Sequence, residues 1–169
     1  MPPPRLAVSF TGHRKLADPG RIETEILEAL RHLQKQAGRP LGAVSSAASG
    51  ADTLFVEAVL GLEIPWTLLL PFPAEEFRLD FEPAAWRRVE RLLSRAERTE
   101  IEPPAASRDE AYWQCGKRGV DLSEVLLAVW NGRPAAGRGG TADIVDYARS
   151  QAKPIIRIDA DSGEIVREG

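Results

Sequence analysis

Short apolar runs alternate with amphipathic segments along the chain, and this alternation constrains the fold more than any other feature. The clearest runs are Leu6–Phe10, Trp66–Leu70 and Val125–Trp130, and each ends within two residues of a Gly or Pro. Between them, apolar residues recur at helical spacing, as at Ile22 and Ile26. Parallel strands need helical crossovers, so the pattern predicts an α/β fold, a Rossmann-like three-layer sandwich with a mostly parallel central sheet.

The run Trp66–Leu70 has the near-continuous apolarity of a strand covered on both faces, and we expect it to be central in the sheet. Further along, Ile155–Ile158 predicts another strand and Gly163 a terminal hairpin. The length of 169 residues and the hydrophobic content of 43% suit one domain with one substantial core. We therefore expect a single domain over residues 1–169.

Composition excludes several classes of function. The formal net charge of −3 gives no overall attraction to nucleic acid or anionic lipid, so we do not expect a dedicated DNA binder. The single cysteine, Cys115, rules out an internal disulfide, and two histidines are few for a zinc site, so we expect no metal and no cofactor. The N-terminal residues lack a secretory signal, and no apolar run approaches the roughly 20 residues that span a bilayer. We expect a cytoplasmic protein without a membrane partner.

Three predicted strand-to-helix loops consist mainly of small and hydroxyl-bearing residues. They are Thr11-Gly12-His13-Arg14, Ser49-Gly50-Ala51-Asp52 and Gly137-Arg138-Gly139-Gly140-Thr141. In parallel sheets such loops gather at the carboxyl ends of the strands, where ligands bind. Glycine lets a phosphate approach the backbone, and a helix N-terminus offers unpaired N–H groups and partial positive charge. The expected ligand-binding residues are Thr11, Gly12, His13, Arg14, Ser49, Gly50, Asp52, Pro71, Asn131, Gly132, Arg138, Gly139, Gly140 and Thr141.

Several of these residues also have an ordinary structural interpretation. Any one loop can be a turn followed by a helix cap. Arg14 suits a phosphate, whereas His13 suits a ribose or phosphate, or a purely structural hydrogen bond. Asp52 suits ribose hydroxyls or the cap of the following helix. The third loop has no Lys after its glycines, and G-x-G-x-x-G is missing after the first strand, so neither standard nucleotide fingerprint applies.

The order of elements and five motifs resemble the SLOG superfamily from about Leu6 to Ile158. The motifs are Thr11-Gly12-His13-Arg14, Ser49-Gly50-Ala51-Asp52, Leu70-Pro71-Phe72-Pro73, the segment Ser123–Gly132 and Gly139-Gly140-Thr141-Ala142-Asp143. This superfamily includes the Lonely Guy phosphoribohydrolases, the DNA-processing protein A family and nucleotide-sensing domains. The resemblance implies a Rossmann-like sheet whose glycine-rich loop holds a phosphate, and it implies a homo-oligomer.

The chain departs from the phosphoribohydrolase motif P-G-G-x-G-T-x-x-E. Aligned on Gly140-Thr141, that motif places Arg138 on its second glycine and Ile144 on its glutamate. Asp143 lies one residue before the glutamate position and is the candidate catalytic residue. One residue along a helix is a rotation of about 100°, so a carboxylate there need not reach the same point.

Three hypotheses follow for the function. The first is a sensor or binding module for a nucleotide or an ADP-ribose-like small molecule, acting through a separate effector protein or self-association. The second is a nucleotide N-glycosidase that releases free base, with Asp143 as base or stabiliser. The third, a single-stranded-DNA-handling protein, fits the acidic composition poorly. A cavity with an acid and a cation around a ribose-sized space favours the enzyme, whereas backbone donors and arginines alone favour the binder.

Overall fold

The structure, a computed structural model, describes residues 4–135 and 139–169. The strands are β1 Leu6–Gly12, β2 Leu41–Ser45, β3 Trp66–Leu70, β4 Arg98–Ile101, β5 Val125–Trp130, β6 Ile155–Asp159 and β7 Ile165–Glu168. The helices are α1 Pro19–Ala37, α2 Ala51–Gly61, α3 Ala74–Phe77, α4 Pro83–Leu93, α5 Arg108–Asp121 and α6 Thr141–Ser150, with a 3₁₀ turn at Arg78–Asp80.

These strands form one seven-stranded sheet in the order β4-β3-β2-β1-β5-β6-β7. All neighbouring pairs from β4 to β6 are parallel, and only β7 runs antiparallel, to β6. Strand β1 pairs with β2 on one side, where Leu6 is opposite Leu41, and with β5 on the other, where Val8 is opposite Val125. The predicted α/β, mostly parallel fold is confirmed, and the direction of strand progression reverses between β1 and β5.

Alternate residues of β5 enter different parts of the core, as a strand covered on both faces requires. Leu127 and Val129 join the larger cluster, which includes buried residues of α1, α2 and α4. Leu126 and Ala128 join a second cluster with the buried face of α6. Helices therefore cover both faces of the sheet, which gives the three expected layers.

Local signals explain where α1 begins and ends. The Asp18 side chain accepts a hydrogen bond from the Arg21 backbone N–H at the N-cap, and Pro19 occupies the first turn. The helix ends at Gly38, whose φ of 64° is in the left-handed region. Ile22 and Ile26 are buried on its inner face.

The expectation that Trp66–Leu70 is the central strand was wrong. This segment is β3, second from the edge, and its outer neighbour is the largely exposed β4. Its apolarity reflects helices on both faces, which is independent of its rank in the sheet. The predicted terminal hairpin is present as β6 and β7. Within residues 4–135 and 139–169, no helix is long and apolar enough to cross a membrane.

Candidate functional site

A cavity of about 770 Å³ lies at the carboxyl ends of the strands, where the strand order reverses. Its walls come from the ends of β1, β2, β3 and β5 and from the inner faces of α5 and α6. In open α/β sheets, ligands bind in this crevice. Nine of the expected binding residues line it: Thr11, Gly12, His13, Arg14, Asp52, Asn131, Gly139, Gly140 and Thr141.

The loops after β1 and β2 are joined to each other by close backbone packing. The Ala51 N–H donates to the His13 carbonyl oxygen at 3.0 Å. A Cβ on Gly12 would lie 2.6 Å from the Ala51 Cβ. Gly50 has a φ of +83°, and a Cβ there would overlap the carbonyl group of Arg14. These glycines are therefore required for packing, whatever the ligand.

His13 connects β1 to β5 across the reversal point. Its backbone N–H donates to the Val129 carbonyl oxygen at 3.3 Å, and its Nε2 accepts from the Asn131 backbone N–H at 3.1 Å. Because Nε2 accepts, the neutral ring carries its proton on Nδ1. The Asn131 side chain is also engaged, since its Oδ1 accepts from the Arg133 N–H at 3.0 Å. His13 therefore makes a structural hydrogen bond, one of the two roles considered for it from the sequence, and it also lines the cavity.

The N-terminus of α6 meets the cavity through Gly139, Gly140 and Thr141. Gly139 has a φ of +86°, and a Cβ there would lie 3.0 Å from the Asp109 carbonyl oxygen on α5. Gly140 is the N-cap and supplies no side-chain cap. The first N–H groups of a helix have no intrahelical partner, and those of Thr141 and Ala142 lie beside the cavity with no backbone acceptor among residues 4–135 and 139–169.

The Asp143 side chain binds the glycine-rich loop and is not one of the residues that line the cavity. Its Oδ2 accepts from the Gly139 N–H at 3.0 Å. Among the described residues that line the cavity, Thr141 and Ala142 are present and Asp143 is not. The geometry is that of a helix first-turn acid that satisfies a loop N–H.

A cluster of charged and aromatic side chains forms the rim near α5. The Arg14 guanidinium lies over the Tyr112 ring, 4.7 Å from its centroid. The Tyr112 hydroxyl donates to Asp80 Oδ2 at 2.5 Å, and Arg108 Nη2 donates to the same oxygen at 2.7 Å. Burial acts to raise the pKa of Asp80, but the hydrogen bonds from Arg108 and Tyr112 and the charges of Arg108 and Arg14 outweigh it and hold the pKa below its ordinary value.

A second carboxyl group that lines the cavity belongs to Asp52. Burial raises its pKa to about 8, against the charge of Arg14 and a hydrogen bond from the Ala48 backbone. The N-cap of α2 is Gly50, which leaves Asp52 within the first turn rather than at the cap position. Nearby, burial raises the pKa of the Cys115 thiol, so this thiol stays protonated.

The remaining expected residues lie elsewhere. Ser49 and Gly50 line a smaller cavity of about 290 Å³ on the other side of Arg14. Pro71 is buried and is not among the residues that line either cavity, and Gly132, with a φ of +80°, turns the chain after β5. Arg138 lies outside the described residues.

Sequence reasoning missed several residues that line the cavity. They are Ser46, Asp80, Arg108, Asp109 and Arg133. Asp80 is the last residue of the 3₁₀ turn Arg78–Asp80, which follows α3. The Pro-rich sequence after β3 did not predict these two short elements, and Asp80 belongs to no recognised motif. In the described part of the chain, no group of three or more His, Cys, Asp or Glu side chains is arranged to hold a metal ion.

Solved structures with a similar fold bear on this site. DNA processing protein A from Streptococcus pneumoniae is 14% identical over 94% of this chain, with a TM-score of 0.67. TM1055, a structural-genomics target, is 14% identical over 89% of this chain and 72% of its own, with a TM-score of 0.57. The molybdenum cofactor carrier protein from Chlamydomonas reinhardtii is 15% identical over 91% of this chain and 76% of its own, also with a TM-score of 0.57.

The chain shares the fold of these three proteins. The expectation drawn from the motifs is confirmed at the level of architecture, and identities this low carry no more than the fold. The chain spans about half of DNA processing protein A, 52% of its length. No protein-family model matches the sequence, and no curated protein matches it either.

Proposed function

We propose that the cavity binds a nucleotide or a nucleotide-derived small molecule, with a phosphate at the N-terminus of α6, and that the chain is a binding module. The observation that carries this proposal is the convergence of the β1–α1 loop and the uncapped α6 N-terminus on one cavity at the strand reversal. A cavity of about 770 Å³ lies within the range of small-molecule sites.

The α6 end offers the donors that a phosphate needs. The backbone N–H groups of Thr141 and Ala142 and the positive end of the helix dipole favour an anion there. Gly140 has φ −70° and ψ 172°, and its lack of a side chain leaves room for close approach. Arg14 adds a positive charge beside the cavity, where its exposed side chain lies over the Tyr112 ring.

The fold neighbours are compatible with a carrier or sensor role. One of them is named as a carrier of the molybdenum cofactor, and another as a DNA processing protein. A binding module on this fold needs a route to an output, so we also propose that the chain self-associates or acts through a separate effector protein. Light scattering with and without ligand tests self-association.

A nucleotide N-glycosidase is the second candidate, because acids and cations do converge on the cavity. Asp52 and Asp80 line it together with Arg14 and Arg108. This convergence is the arrangement that an enzyme requires. Against it, Asp80 is already bound by Arg108 and Tyr112, and Asp143 is bound by the Gly139 N–H. Asp52 remains as an acid that a glycosidase would use, so analysis of the products decides between binding and hydrolysis.

A single-stranded-DNA role is the third candidate and has less support. Several arginines of the described surface pair with glutamates, as Arg88 does with Glu57 and Arg5 with Glu97. Paired arginines offer little to a phosphate backbone.

The test uses nucleoside monophosphates, ADP-ribose and cyclic nucleotides, with thermal shift and chromatography on the same samples. At a free concentration of about 100 times its Kd, we expect a ligand to raise the melting temperature by about 5 °C. Chromatography should then recover that ligand intact. Gly140→Asp places a carboxylate where the phosphate would lie, and Gly140→Asn is its neutral match; both are good N-caps. Only Gly140→Asp should abolish the shift.

Two outcomes count against the proposal. Equal ligand shifts in the Asp and Asn variants would place the phosphate elsewhere. Release of free base that is lost in Asp52→Asn or in Asp143→Asn would establish the glycosidase instead.

A further inference from the structure

The cavity has a second end, away from α6, that the phosphate proposal does not use. Its surface comes from the ends of β2 and β3 and from α5, through Val44, Leu69 and Cys115, which form a separate buried apolar cluster. Two polar residues, Ser46 and Asp52, line the same cavity. An apolar surface edged by a few polar groups is the usual composition of a site for a planar organic group.

The Ser46 hydroxyl is the most informative of these groups. Its Oγ is buried and has no hydrogen-bond partner in the described structure. Buried hydroxyls in folded proteins almost always have a partner, since an unsatisfied one is costly. The neighbouring Ser45 shows the contrast, because its Oγ accepts from Trp66 Nε1 at 3.1 Å. A ligand in the cavity would supply the partner that Ser46 lacks.

Asp52 lies at the same end as the apolar cluster. Its side chain lines the same cavity as Val44, Leu69 and Cys115. Protonated, the carboxyl both donates and accepts hydrogen bonds, and Ser46 does the same. Such a pair suits the edge of a ring that carries both hydrogen-bond donors and hydrogen-bond acceptors.

The distance between the two ends fits one ligand. From β5 to β3 the sheet crosses β1 and β2, which makes three strand spacings or about 14 Å. This is comparable with an extended nucleoside monophosphate. The ribose would then lie over the end of β1, beside His13.

We propose that the β2–β3 end of the cavity is a nucleobase subsite, in which Ser46 and Asp52 hydrogen-bond the edge of the base while Val44, Leu69 and Cys115 contact its face. This inference rests on the proposed function, because it assumes a phosphate at α6. It adds the orientation of the ligand and the class of group that the chain recognises.

Two variants test the subsite without disturbing the fold. Ser46→Ala removes a hydroxyl that has no partner, so the melting temperature should stay equal or rise. Gly119→Ala adds a methyl to α5 at the cavity, 3.6 Å from the nearest Leu69 carbon, which is ordinary contact. Alanine is also the better helix residue, so this variant should be more stable than the wild type.

The measurement is calorimetric titration with AMP, GMP, CMP and UMP and with ribose 5-phosphate, which has the phosphate but no base. We expect Ser46→Ala to bind its best nucleotide about fivefold more weakly and ribose 5-phosphate unchanged. Gly119→Ala should likewise weaken only the nucleotides.

The outcomes separate the two proposals. If the wild type binds ribose 5-phosphate and the nucleotides equally, or if both variants bind nucleotides as the wild type does, the base subsite is wrong while the phosphate site stands. If the wild type binds none of these ligands, the proposed function fails and the subsite with it.

Discussion

The two ends of the cavity are built from different parts of the chain. The α6 end presents backbone, with Gly139 and Gly140 leading into Thr141 within three consecutive residues. The β2–β3 end presents side chains from β2, β3, α2 and α5, brought together only by the fold. Backbone donors suit an anion of any identity, whereas placed side chains distinguish one planar group from another. If the proposed function holds, affinity should therefore come mainly from the α6 end and selectivity from the β2–β3 end.

The largest effect on stability should come from disturbing the packing between the loop after β1 and the loop after β2. A Cβ in Gly50→Ala would overlap the Arg14 carbonyl group at a φ of +83°, so we expect a loss of about 3 kcal/mol in unfolding free energy. Gly38→Ala is the matched control, with a φ of +64° and no atom within 4 Å, and should cost about 1 kcal/mol. Urea denaturation measures both; equal losses would mean that the junction tolerates the clash.

The pH dependence of stability tests the buried carboxyl at the β2–β3 end. Because the folded pKa of Asp52 is raised to about 8, its contribution to stability is complete below the unfolded pKa near 4 and is lost as pH rises toward 8. Asp52→Asn removes this loss. The unfolding free energy of this variant, relative to the wild type, should therefore increase by about 2 kcal/mol from pH 5 to pH 8. This is about half of the change that one fully titrating group would give over that range. A difference that stays constant with pH would contradict the buried, neutral carboxyl.

At the α6 end, Asp143 should matter to the loop more than to chemistry. Asp143→Ala removes the acceptor of the Gly139 N–H and should cost about 1 kcal/mol in thermal or urea unfolding. Asp146→Ala on the same helix breaks only a surface pair with Arg149 and should cost less than about 0.5 kcal/mol. If the two variants were equally stable, the Gly139 bond would not anchor the loop.

The smallest expected effect is at the rim. Tyr112→Phe keeps the ring under Arg14 but removes the hydrogen bond to Asp80, and we expect a loss of about 0.5 to 1 kcal/mol by thermal unfolding. Tyr112→Leu also removes the ring and should lower phosphate affinity as well. Identical phosphate affinity in the Phe and Leu variants would show that the ring does not position Arg14.

The sequence was most informative where one short segment decides the structure. Strands β3 and β5 were predicted with their observed bounds, because an apolar run bounded by Pro or Gly carries its own signal. The α6 loop was noted for its glycines in the same way. The central position assigned to β3 was wrong, since the order of strands depends on long-range pairing that no local pattern records.

The β2–β3 end shows what such reasoning cannot reach. Ser46 and Cys115 are distant in sequence, and neither belongs to a motif. Asp80 becomes part of the rim only because Arg108 and Tyr112, about 30 residues later, bind the same oxygen. Side chains that converge through tertiary packing leave no periodic signal in a single sequence.

The most direct test of the central claim is an amide NMR titration of the wild type with AMP and with ribose 5-phosphate. We predict that both ligands shift the signals of Gly139, Gly140, Thr141 and His13, and that only AMP also shifts Ser46 and Gly119. The signal of Gly38, which lies between α1 and the start of β2 at the amino ends of the strands, should not shift with either ligand. Shifts confined to other surfaces, or no shifts with either ligand, would contradict a nucleotide site at the strand reversal.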